Sequence, residues 1–154
     1  MNRLALLAAG AVTLAVCTIT PATAAAPPAE TAETVTSCGN SGLQAGLATR
    51  VCAEITGTTV TFYGKVGLAG PPSTPSPGSP QPAAKELLTT LSVELVGAAT
   101  LSAQAKPLLF TAATLEVRAP AATVPCGSTV RGTFAVASYP RAASPVVHEV
   151  TLTC

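Results

Sequence analysis

The sequence predicts an all-β protein: an antiparallel, immunoglobulin-like β-sandwich of about seven or eight strands, stapled by two disulfides. Three observations lead there. Thr, Val, Ala, Gly and Pro dominate the chain, and its Thr/Val runs are short and set off by Gly and Pro. Apolar residues recur with period two, and no long segment carries a helical period. The cysteines divide into Cys17, inside a hydrophobic leader, and Cys38, Cys52, Cys126 and Cys154 downstream of it. The inter-sheet Cys–Trp–Cys signature of antibody domains is missing, because the chain has no Trp, so "immunoglobulin-like" names an architecture only.

The leader comes first. Arg3 supplies a positive start, and Leu4 to Ile19 is a nearly unbroken apolar run, slightly short for a membrane span. Pro21 ends it, and Ala22-Thr23-Ala24 fits the small-x-small cleavage pattern. Residues 1–24 are therefore expected to be a signal peptide, and the mature protein to be secreted, with no membrane attachment after cleavage. The alternatives are an uncleaved anchor helix and a lipoprotein anchored through Cys17. Leu14-Ala15-Val16-Cys17 resembles a lipobox, although Val16 departs from the small residue usual before the cysteine.

Residues 25–31 are Ala, Pro, Glu and Thr and are expected to form a disordered tether. Residues 32–154 make one domain. Its first strand runs from Thr34 to Cys38, and Gly39-Asn40-Ser41-Gly42 is a turn cluster. A second strand, about Thr49 to Thr56, sets Val51, Ala53 and Ile55 against Arg50, Cys52 and Glu54. In the third, Val60, Phe62, Val66 and Leu68 alternate with Thr59, Thr61, Tyr63 and Lys65, the mark of one buried and one wet face. Pro71 to Pro82 contains six prolines in twelve residues. Proline lacks the ladder donor, so this stretch is a loop.

Beyond it, Leu91, Val93 and Leu95 alternate with Thr90, Ser92 and Glu94. Gly97-Ala98-Ala99 turns into a weaker strand, Thr100 to Ala105, which Lys106-Pro107 is expected to break. Ala113, Leu115 and Val117 mark another, ended by Pro120. Val130, Phe134 and Val136 mark the next, opposite Arg131 and Thr133. Tyr139 to Pro145 is a loop, and Val150, Leu152 and Cys154 share one face of a terminal strand.

Four cysteines allow three pairings. Strand order favours Cys38 with Cys52, across one turn-containing hairpin, and Cys126 with Cys154, across a hairpin centred near the Tyr139 loop. A zinc site is not expected: there is no C-x-x-C pair, and export favours oxidation. The same lack argues against a redox enzyme.

Little else carries chemistry. There is no Asp, and the seven Glu are scattered. His148 is the only histidine, and its neighbour Glu149 points to the opposite strand face, so no serine triad is expected. Calcium clusters and phosphate loops are absent from the pattern, and no cofactor is expected. Loss of Arg3 leaves seven basic against seven acidic residues, a near-neutral chain without the basic patch that nucleic acid demands. Aromatics are the usual interface anchors. Tyr63 and Tyr139, with Arg141 in the proline-bracketed Tyr139-Pro140-Arg141 loop, are the candidate binding residues.

The leader, the tether and the stretches Val51-Cys52-Ala53-Glu54-Ile55-Thr56 and Val124 to Gly132 resemble small exported proteins of high-GC actinobacteria. The Cys38–Cys52 spacing is also similar to that of the enediyne-carrier apoproteins, exported immunoglobulin-like sandwiches with two short-loop disulfides. The wider Cys126–Cys154 spacing and the Pro71–Pro82 loop depart from them. Secreted subtilisin inhibitors also carry two disulfides, but no disulfide-anchored reactive loop matches here, so no reactive residue is carried over. The expectation is a secreted, non-enzymatic protein that binds a protein or cell-surface ligand. The alternatives are a secreted protease inhibitor, a small-ligand carrier and a small hydrolase.

Overall fold

Threonine and valine alternation builds ten strands in the computed structural model, which describes residues 33–70 and 83–153. In chain order they are β1 (Thr34–Cys38), β2 (Gly42–Gln44), β3 (Leu47–Thr56), β4 (Thr59–Leu68), β5 (Lys85–Leu95), β6 (Thr100–Phe110), β7 (Leu115–Arg118), β8 (Ala122–Thr123), β9 (Thr129–Ala137) and β10 (Val146–Thr151). They form two antiparallel sheets. Sheet A runs β1-β3-β4-β7, with β2 added to β3 and β8 to β4; sheet B runs β10-β9-β5-β6. The expected leader, tether and Pro71–Pro82 loop lie outside the described residues.

The inner faces follow the period-two pattern. Val51, Ala53, Val60, Phe62 and Val66 of sheet A meet Leu91, Val93, Val130, Phe134, Val136 and Val150 of sheet B in one buried cluster. The sheets interlock at two reciprocal points. A Cβ on Gly64 would overlap the Phe134 ring, and a Cβ on Gly132 would overlap the Phe62 ring. Each phenylalanine therefore rests on a glycine of the facing sheet.

Two expected elements differ. The strand expected to stop at Ala105 continues through Lys106-Pro107 to Phe110. β6 is the edge of sheet B, paired only with β5, so Pro107 can sit opposite Leu88 without depriving an inner neighbour of a donor. The expected seven or eight strands become ten because β2 and β8 are only three and two residues long, too short to show a period. β2 turns into β3 through Ala45 and Gly46, whose φ values of 51° and 79° suit a tight hairpin turn.

Cys38 lies opposite Cys52 in the β1–β3 register, and the two form a disulfide with an S–S distance of 2.02 Å. The expected Cys126–Cys154 pairing ends on a residue outside those described.

Polar side chains, not shared strands, close the seams between the sheets. Gln44 is 2% exposed. Its Oε1 accepts from Val136 N at 2.9 Å, and its Nε2 donates to Phe134 O at 3.2 Å and Thr49 Oγ1 at 2.9 Å. β10 begins opposite Phe134, so Gln44 takes over where that strand stops and satisfies the next backbone groups of β9. On the same side, Ser37 Oγ and His148 Nε2 lie 2.9 Å apart, tying β1 to β10. On the other, Gln104 Nε2 donates to Arg118 O at 2.7 Å, tying β6 to β7.

Candidate functional site

Leucine doublets shape an open apolar surface. A strand sends neighbouring residues to opposite faces, so Leu87-Leu88 and Leu108-Leu109 each turn one side chain, buried Leu87 and partly buried Leu108, to the core and expose the other. Leu87 is buried, whereas Leu88 is 52% and Leu109 56% exposed. The register puts Leu88 between Pro107 and Ala137, and Leu109 opposite Glu86, on the outer face of sheet B. Where β9 ends, the chain turns at Tyr139, and the Tyr139–Pro140 peptide is cis. The turn is held by reciprocal backbone bonds, Arg141 N to Ser138 O at 2.8 Å and Ser138 N to Arg141 O at 3.3 Å.

Together these residues bound a shallow, open groove of about 1140 Å³. Tyr139 stands 99% exposed at its rim, with Arg141 beside it. The exposed ring and the two half-exposed leucines form one apolar surface, with Glu86 and Arg141 at its margin. Lys85 reaches back from the groove to donate to the Ala45 carbonyl, which fixes the start of β5 against the β2–β3 turn.

Tyr63 is not part of this surface. It lies on the outer face of sheet A, as its alternation requires, but is only 4% exposed. The register places Arg118 directly opposite it. The Arg118 guanidinium covers the ring at 4.6 Å from its centroid and Lys65 Nζ lies at 5.3 Å. Arg118 is itself forked onto Glu54 at 2.8 and 2.9 Å and reaches Glu116 at 3.3 Å. The hydrogen bonds from Arg118 hold the Glu54 carboxyl below its ordinary pKa and push the guanidinium further up. The structure thus brings Tyr139 and Arg141 together and sets Tyr63 apart, as the base of a charged lattice.

Glu94 and Glu149, on the outer face of sheet B, are both spent on one arginine. Arg131 bonds Glu149 at 2.7 Å and Glu94 at 2.8 Å, which raises its pKa. His148 has its pKa lowered by burial, an effect opposed by hydrogen bonding to the Ser37 backbone. Glu149 is turned away from it to Arg131, as strand alternation dictates. No group of three or more His, Cys, Asp or Glu side chains suited to a metal ion occurs among the described residues. No helix among them is long and apolar enough to cross a membrane.

The sequence reading missed Leu88 and Leu109. The signal was present in the doublets, since two adjacent leucines in a strand cannot both face one core. No protein-family model, curated protein or solved structure matches this chain. What the fold defines is an all-β protein of two antiparallel sheets with a disulfide, a bond suited to an oxidising compartment.

Proposed function

We propose that this is an exported, non-enzymatic binding protein whose contact surface is the Tyr139 end of sheet B. The observation that carries the reading is the clustering of Tyr139, Leu88 and Leu109, all largely in water, at one groove. An aromatic anchor with aliphatic neighbours and an arginine at the rim is the composition of an interface centre. The leader and the Cys38–Cys52 disulfide support export, and the two-sheet architecture is consistent with an immunoglobulin-like sandwich. A second staple between Cys126 and Cys154 belongs to the same reading. Gly127 N donates to Leu152 O at 2.7 Å and Leu152 N to Ser128 O at 3.0 Å, which keeps the chain next to Cys126 beside the end of β10.

The test is comparative retention. Immobilised protein and its Leu88→Ser/Tyr139→Ser variant are presented with envelope proteins and polysaccharides of the producing cell. Material retained by the former and lost from the latter is expected; identical retention overturns the reading. A second reading, protease inhibition, is favoured by one feature, the exposed Arg141 on a turn held by paired backbone bonds. It predicts stoichiometric block of an arginine-specific serine protease, abolished by Arg141→Ala.

A further inference from the structure

The three strand arginines are not treated alike. Arg118 and Arg131 each engage two glutamates. Arg50 engages none among the described residues; its Nε and Nη2 both donate to the Ser41 hydroxyl oxygen, at 2.9 and 2.6 Å. Directly across the β3–β4 ladder from Arg50 is Lys65, a second cation. Like charges in cross-strand register repel, so this arrangement disfavours the empty fold. Glu116, 3.2 Å from Lys65 Nζ, offsets one of the two charges.

Between the two cations the surface dips. A depression of about 210 Å³ has a floor at Ala48 and Gly67 and walls at Ser41, Arg50, Lys65 and Thr114. A Cβ at Gly67 would lie 3.6 Å from Thr114 Oγ1, an ordinary contact distance, which places the two residues side by side in the depression. Most of its lining is apolar, and the polar side-chain groups at its margin are donors. The Ser41 oxygen is occupied by two Arg50 N–H groups, so its own hydrogen is available outward. Thr114 Oγ1 has no partner among the described residues, and the guanidinium keeps its Nη1 donors.

We propose that this depression binds a tetrahedral oxyanion, a phosphate or sulfate group, through Arg50, Lys65, Ser41 and Thr114. Two cations and two hydroxyls stand around it on several strands and turns, a set that suits an acceptor with oxygens in several directions better than a planar carboxylate. An anion there also relieves the Arg50–Lys65 repulsion. The depression is shallow, so an ester substituent on the anion would point into solvent. The inference is independent of the Tyr139 groove, which lies on the other sheet.

Backbone amide NMR of the isolated protein tests it. Inorganic phosphate, sulfate, glycerol phosphate and acetate are each titrated at constant ionic strength against chloride. Saturable shifts of the Ser41, Gly67 and Thr114 amides are expected with phosphate, sulfate and glycerol phosphate, with Kd of about 1–10 mM. Acetate is expected to bind at least about tenfold more weakly, a gap of about 1.4 kcal/mol. Arg50→Gln and Lys65→Gln should each weaken phosphate binding about tenfold or more with the rest of the spectrum unchanged. Shifts that fail to saturate, that chloride reproduces, or that survive Arg50→Gln overturn the site. Equal binding of acetate overturns the tetrahedral preference, and rejection of glycerol phosphate overturns the solvent-facing ester.

Discussion

The Phe134 ring fills the space that a side chain at Gly64 would need. Its counterpart, Phe62 over Gly132, repeats the arrangement in the opposite sense, so the two sheets interlock through a pair of ring-on-glycine contacts. Both rings are buried, Phe62 at 1% and Phe134 at 0% exposure, which leaves neither room to swing aside.

Gly64→Ala is therefore expected to lose about 3 kcal/mol or more, the upper end of overpacking costs. Phe134→Leu in the same chain should recover part of that loss, because it frees the volume the new methyl needs. Urea denaturation of the two single variants and the double variant measures the coupling, expected at about 1–3 kcal/mol. Strict additivity would mean the sheets can separate at this point.

Gln44→Leu keeps the shape and removes all three hydrogen bonds. Val136 N and Phe134 O then face a buried apolar group, and the expected loss is about 2–4 kcal/mol. Gln44→Glu tests the donors separately. The carboxylate still accepts from Val136 N but repels Phe134 O, so this variant should be more destabilised at pH 7 than at pH 4, where it is protonated. Denaturation midpoints at the two pH values check it.

The sequence made the long strands legible and left the seams hidden. β3, β4 and β9 alternate cleanly because each has one face in the core and one in water, and the Cys38–Cys52 pair followed from the strand order. Gln44 gave no sign: a single glutamine in a three-residue strand looks like surface, and only the early end of β10 creates the backbone groups that it satisfies. Pro107 looks like a break in the sequence because edge position is a property of the whole sheet. Tyr63 kept its expected face, but no local pattern reveals that Arg118, 55 residues later, lies on top of it. Arg50 likewise differs from Arg118 and Arg131 only through its cross-strand neighbours.

His148 makes stability fall in mild acid. Burial lowers its pKa, so the folded state takes up the proton less readily than the unfolded chain. Its contribution is complete above the unfolded value of about 6.5 and is lost as pH drops through that value towards the lower folded one. Glu54, also lowered, adds a second decline below its ordinary value of 4.5. Urea midpoints from pH 8 to pH 3 should show both, and His148→Gln should flatten the upper one alone.

Replacing Cys38 and Cys52 together by Ala should lower stability by about 3 kcal/mol, since the bond closes a loop between residues 14 apart. The β1–β3 ladder should persist, because five register pairs and the Ser37–His148 bond still hold β1. Thermal melts report the loss, and amide exchange across Thr34–Cys38 reports the ladder. Complete exchange of β1 in the variant would show that the disulfide alone keeps it in place.

That cross-link also fixes how the molecule would bear a mechanical load. A pull on the chain before Thr34 unzips β1 from β3 one pair at a time, starting at Thr34 and Thr56. The zipper stops at Cys38, and the force passes covalently to Cys52 in the middle of β3. There it meets the ten-pair ladder between β3 and β4, which must shear as a block. Load applied at that end is thereby carried past the peeling edge of β1 and into the middle of β3.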